Sequence, residues 1–115
     1  DALTDADYNT AFGKSALSTD TLGSKSTAIG TFALEAQNFT SATDTYNTAV
    51  GYNAGAYIST GTENTLIGGL TGDAITTGVR NTALGQDALT LLTVGTDNTA
   101  IGKNALESDT KVVNL

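Results

Sequence analysis

Twelve carboxylates, five Lys or Arg and four tyrosines are the ionisable side chains of this 115-residue sequence, which holds no histidine and no cysteine. Without those two residue types the common triads, dyads and zinc sites cannot be assembled, so any catalysis would rest on carboxylates, hydroxyls or lysine. Asp73, Asp87, Asp97 and Glu107 fall at turn-like positions, and none forms a pair with an obvious reason for a shifted proton affinity. They read as solvated side chains. A calcium loop of the D-x-D-x-D kind is absent, and GGLTGD at 68–73 lacks the Lys and Ser/Thr of a phosphate-binding loop. NFT at 38–40 is a formal glycosylation acceptor. The expectation is a non-enzyme with no cofactor and no metal.

A net charge of −7 repels polyanions and removes the counterion release that drives nucleic-acid binding. Apolar runs of only a few residues fall far short of the ~20 needed for a membrane helix. Lacking cysteine, the chain has no disulfide framework from which to read its compartment. An opening at Asp1 rather than Met suggests a processed product or a fragment of something longer.

The positions just named are placed by a repeat. NTAFG, STAIG, NTAVG, NTLIG, NTALG and NTAIG begin at Asn9, Ser26, Asn47, Asn64, Asn81 and Asn98, with spacings of 17, 21, 17, 17 and 17. The period is 17 with one insertion of four, which falls within 39–46. The consensus is N-T-A-Φ-G-x-x-A-[LG]-x-x-x-T-x-G-x-x, with Φ a large apolar residue. Helical hairpin repeats need 33 residues or more, whereas short Thr-containing segments divided by Gly suit strands and turns. The expected fold is all-β: a parallel β-solenoid (β-roll) of six ~17-residue coils over 9–106, between a lead-in at 1–8 and a lead-out at 107–115. At about 4.8 Å per coil the rod is roughly 29 Å long. The first-position residues either stack as a hydrogen-bonded ladder or serve only to tolerate a turn.

Side chains alternate along a strand, so Thr and Φ share one face while Asn, Ala and Gly share the other. Phe12, Ile29, Val50, Ile67, Leu84 and Ile101 form one apolar column, expected to be structural core. Ala11, Ala28, Ala49, Leu66, Ala83 and Ala100 form another. Only one face of a narrow coil can turn inward, so the second column needs a partner. Leaving six large apolar side chains exposed would forfeit on the order of 10 kcal/mol. A parallel homotrimer, intertwined or packed, supplies the cover by symmetry.

These motifs resemble the head repeats of trimeric autotransporter adhesins, with their [NS]-[ST]-x-A-Φ-G pattern, and more closely the NTAVGYNAL-type repeats of phage tail fibres and related surface proteins. The resemblance spans residues 9 to about 106, although the 17-residue period is longer than the autotransporter coil. It implies a trimeric fibre with a surface-recognition role, extracellular on a virion tail or bacterial cell surface, and transfers no receptor.

Interruptions in solenoids bulge outward as loops and often carry function. All seven aromatics lie within the first 57 residues. Candidate contacts are therefore Phe39, Ser41, Thr43, Asp44, Tyr46, Tyr52 and Tyr57, whose rings would stack on a host glycan or protein or dock a neighbouring subunit. The leading expectation is a structural and adhesive fibre segment, and the alternative a self-assembling filament with no specific receptor. Ice binding by the Thr column is disfavoured, because that column is expected to be at least partly buried beside Φ.

Overall fold

The computed structural model describes residues 8–107. Every motif copy becomes a three-residue strand: β1 (Thr10–Phe12), β3 (Thr27–Ile29), β5 (Thr48–Val50), β6 (Thr65–Ile67), β7 (Thr82–Leu84) and β8 (Thr99–Ile101). They form one parallel six-stranded sheet in the order β1-β3-β5-β6-β7-β8. Register keeps like with like, since Thr pairs with Thr, the third position with the third and Φ with Φ along the whole stack. Two shorter strands, β2 (Gly23–Ser24) and β4 (Thr43–Asp44), pair on the return side of the first two coils. The architecture is a parallel β-solenoid of about five turns, with no helix among the described residues.

Glycine at the fifth position is a requirement of stacking. In Gly30 and Gly51, φ is +132° and +140°, and a Cβ on either would lie 2.4 Å from the carbonyl oxygen of the glycine in the next coil. Three other positions are also left-handed in every described coil: the seventh, as in Phe32 (φ 62°), the ninth, as in Leu34 (φ 50°), and the seventeenth, as in Arg80 (φ 57°). Sixteen non-glycine residues adopt this conformation. Each costs on the order of 1 kcal/mol. They persist because inter-coil hydrogen bonds over-determine the path, for example Thr27 N to Asn47 O at 2.8 Å and Leu34 N to Ala54 O at 3.1 Å.

The interior is lined by the third-position column, not by Φ. Ala28, Ala49, Leu66 and Ala83 are fully buried, whereas Phe12 is 75% exposed, Leu84 47% and Ile101 67%. The expectation that Φ fills the core is thus corrected: Phe12, Ile29, Val50, Ile67, Leu84 and Ile101 face outward. Space inside the coil explains the choice. The ninth position (Leu17, Leu34, Leu89) and the twelfth (Ile58, Ile75, Leu92) already fill it with branched side chains, leaving room for a methyl at the third. Where the third position is Leu66, the ninth shrinks: a Cβ on Gly55 or Gly72 would come within 2.8 or 2.9 Å of the Leu66 methyls. Volume is conserved across columns, as close packing demands.

The first-position side chains form the ladder. Asn64 N and Nδ2 donate to Asn47 Oδ1, Asn81 does the same to Asn64, and Asn98 to Asn81, at 2.8–3.2 Å. Asn47, Asn64 and Asn81 also donate through Nδ2 to the carbonyls of Gly61, Gly78 and Gly95 in their own coils. These buried amides close each coil and tie it to the next.

Candidate interaction surface

Thr and Φ together form the outer face of the six-stranded sheet. Phe12, Ile29, Ile67, Leu84 and Ile101 are exposed, and Val50 is half-buried. Beside them Thr10, Thr82 and Thr99 are exposed and Thr27, Thr48 and Thr65 half-buried. The premise that the Thr column is partly buried therefore holds only for its middle members. Among the described residues nothing covers this face. Because the core closes behind it on Ala and Leu66, the second apolar column has no role in holding a single coil together.

The insertion leaves the face untouched. Thr21 Oγ1 donates to Asn38 Oδ1 across a normal 17-residue step, but Gly23 pairs with Thr43 and Ser24 with Asp44, twenty residues on. At Thr27, which pairs with Thr48, the step has grown to twenty-one. Three extra residues thus bulge between Asn38 and Thr43, and Thr45 is the fourth, an inward bulge.

Around that bulge lies a buried polar seam for which the sequence reading made no provision. Asp20 and Gln37, both fully buried, occupy the twelfth position that later holds Ile58, Ile75 and Leu92. Asp20 accepts from Gly23 N at 2.9 Å and from Gln37 Nε2 at 2.6 Å. Gln37 Nε2 donates in addition to Ser26 Oγ at 2.8 Å, and its Oε1 accepts from Asn47 Nδ2 at 2.8 Å. Ser26, too short to continue the Asn ladder, instead bonds Thr45 Oγ1. Inserted Thr45 and polar Gln37 thereby bridge the gap between Asn9, whose Oδ1 accepts from Ser26 N, and Asn47. Satisfaction is complete within the seam, and Asn53 Oδ1 is the one buried side-chain polar atom without a partner among the described residues. The twelfth-position column, followed through all copies, was the signal for this seam.

The expected contact residues do not converge. Phe39 is buried at 7% exposure, which removes it as a surface contact. Ser41 is exposed and Thr43 half-buried on the bulged coil. Asp44 and Tyr46 lie at the edge where chain enters the sheet, with Lys25 Nζ 2.7 Å from Asp44 Oδ2, 3.3 Å from Tyr46 Oη and 5.3 Å from the Tyr46 ring centre. The hydrogen bond to Asp44 holds the Lys25 ammonium above its ordinary proton affinity, helped by Tyr46. Tyr52 lies at the opposite edge, where chain leaves the sheet. It meets Phe32 edge to face with centroids 6.2 Å apart, and Lys14 Nζ sits 5.8 Å from the Phe32 ring centre. Tyr57 is exposed farther round the coil.

Higher up, Arg80 Nε and Nη2 grip Asp97 at 2.6 and 3.0 Å on the entry edge. The guanidinium lowers the proton affinity of that carboxylate. Asp73 shows the reverse, because partial burial raises its proton affinity, helped slightly by Asp87. No cluster of three or more His, Cys, Asp or Glu suited to a metal occurs among the described residues, nor does any helix long and apolar enough to cross a membrane. Comparison with protein-family models, curated proteins and solved structures gave no match. What the surface offers is one flat Thr/Φ face, flanked by two edges that carry charges and rings.

Proposed function

We propose that the chain is a structural and adhesive fibre segment: a stiff rod that associates with copies of itself through the Thr/Φ face and projects a binding surface from a virion tail or bacterial cell. The observation that carries this reading is the uncovered second apolar column, whose six members recur in register while the core is complete without them. Burying an exposed Leu, Ile or Phe stabilises by ~1.5–3 kcal/mol, and a parallel homotrimer covers all copies at once. Host contact, to a glycan or a surface protein, belongs on the bulged coil, where Ser41 and Asp44 are exposed.

Analytical sedimentation in dilute buffer tests the association, and a well-folded soluble monomer would sink it. Tyr46→Ala and Tyr52→Ala separate docking from recognition: loss of the trimer assigns the rings to subunit contact, and loss of host binding with the trimer intact assigns them to the receptor. The second reading is a filament without a receptor, which the open ends of a solenoid favour. Electron microscopy distinguishes its long filaments from short closed particles. Were the chain monomeric, the exposed Thr ranks, spaced by about 4.8 Å, would favour a water-ordering surface, and thermal hysteresis is its measurement.

A further inference from the structure

The two edges of the Thr/Φ face carry matching side chains, rung by rung. On the entry edge the seventeenth-position residues Tyr8, Lys25, Tyr46, Glu63, Arg80 and Asp97 immediately precede the six motif copies, share one left-handed conformation and are exposed. On the exit edge the sixth and seventh positions supply Lys14 to the first rung, Phe32 to the second, Tyr52 to the third, Gly69 to the fourth, Asp87 to the fifth and Lys103 to the sixth.

Taken at equal height, entry edge against exit edge gives Tyr8 with Lys14, Lys25 with Phe32, Tyr46 with Tyr52, Arg80 with Asp87 and Asp97 with Lys103. These are two cation–aromatic pairs, one aromatic pair and two ion pairs, while Glu63 meets uncharged Gly69. Slipping one copy by one rung in one direction sets Glu63 against Asp87 and Arg80 against Lys103. Slipping it the other way sets Lys25 against Lys14 and Asp97 against Asp87. Each slip replaces both ion pairs with two like-charge contacts.

We infer that the two edges are a self-recognition code: the entry edge of one copy docks on the exit edge of a second copy, parallel and with no axial shift. This rests on the proposed association through the Thr/Φ face and adds what that face lacks, since its Thr and Φ rungs are nearly alike and would accept any shift. A heterologous contact with no axial displacement closes into a ring when its rotation divides a full turn, and a displaced one builds an open helix. The code thus selects an unstaggered lateral ring over a staggered lateral assembly. Within one chain the two edges cannot meet, because the strand between them alone spans about 10 Å.

The lack of native cysteine makes the register directly readable. In the full chain, Asp97→Cys/Lys103→Cys places thiols at the same rung and is expected to give covalent oligomers on oxidation, resolved on a denaturing gel. Arg80→Cys/Lys103→Cys places them one rung, about 4.8 Å, further apart along the axis and is expected to cross-link much less, since that carries the Cα atoms to the edge of disulfide reach. Lys103→Glu is expected to weaken association about fivefold per contact at low salt, and less as salt rises. Asp97→Lys also removes the Arg80 contact within the chain, so it is the baseline for the double reversal: Asp97→Lys with Lys103→Glu, which rebuilds the pair only between copies, is expected to associate more tightly than Asp97→Lys alone. Equal or stronger cross-linking of the one-rung pair, or no rescue by the double reversal, overturns the code while leaving self-association standing. Wild-type chain that sediments as a folded monomer overturns both.

Discussion

The first two coils and the four above them stack in one parallel sheet with different interiors. From Asn47 upward the first-position amides bond each other directly, and Ile58, Ile75 and Leu92 fill the twelfth position. Below, Ser26 breaks the amide ladder, Asp20 and Gln37 replace the branched side chains, and Thr45 is pushed inward to complete the hydrogen bonds. What must be kept is therefore a continuous set of satisfied donors and acceptors along the stack, and either an amide ladder or a mixed seam provides it. The mixed seam has a weakness the ladder lacks. Its members depend on one another, and an unsatisfied buried group costs more than the bond it loses.

The largest effect should be blind to this difference. Gly30→Ala in the irregular part and Gly85→Ala in the regular part both force a methyl into a neighbouring backbone carbonyl, at 2.4 and 2.5 Å, with φ at +132° and +135°. Each is expected to cost about 3 kcal/mol or more in urea unfolding, and a mild effect at either site would show that the coils are not stacked as described. Next, Leu66→Ala opens a cavity against Gly55 and Gly72 and is expected to cost about 3 kcal/mol. Leu66→Ala with Gly72→Leu should recover much of it, because leucine already holds the same left-handed angle at Leu89 (φ 57°).

Sharper still is the seam itself. Gln37→Ile leaves Asp20 Oδ2 and one Asn47 Nδ2 bond unmatched, with an expected loss of about 2 kcal/mol. Asp20→Leu with Gln37→Ile copies the apolar column above and should be less damaging than the sum of the two single changes. Additive costs in that double-mutant cycle would mean that the seam does not act as a unit.

The smallest effect compares two aspartates of the regular part. The folded chain binds a proton at Asp73 more tightly than the unfolded chain does, so this residue takes stability away as pH rises from the ordinary carboxylate range through its raised midpoint. Asp97, held low by Arg80, contributes stability that is present above that range and lost as pH falls through its depressed midpoint. Asp73→Asn is expected to raise the melting temperature slightly at neutral pH, and Asp97→Asn to lower it slightly, both differences fading as the solution is acidified. Melting curves between pH 3 and pH 7 decide it, and a pH-independent difference in either variant would refute its assignment.

Strand positions and their register were legible because the motif recurs: equal residues had to pair once the coils stacked. The two apolar columns were legible too, but not which one turned inward. That depended on Leu34, Leu89, Ile58 and Ile75 competing for the same volume, a three-dimensional matter that alternation along a single strand cannot decide. Phe39 looked like a loop aromatic because the insertion follows it, yet its side chain is buried, which local sequence alone does not show. Asp20, Gln37 and Thr45 went unnoticed for a related reason. Each is unremarkable in its local sequence, and their meaning emerges only when residues 10 to 19 positions apart are brought into hydrogen-bond contact. Tyr46 and Tyr52, six residues apart and grouped by composition, are separated to opposite edges by the strand between them.

Because the four extra residues are absorbed on the return side, the sheet from β1 to β8 counts coils without recording how long each one is. Coil number is then an adjustable length. Duplicating one 17-residue unit from the regular half would extend the rod by about 4.8 Å while presenting the same top and bottom to its neighbours. Recombination between stretches as alike as those encoding NTALGQDAL and NTAIGKNAL could perform that edit in a single event, giving a lineage a ready means of changing reach without redesigning the fold.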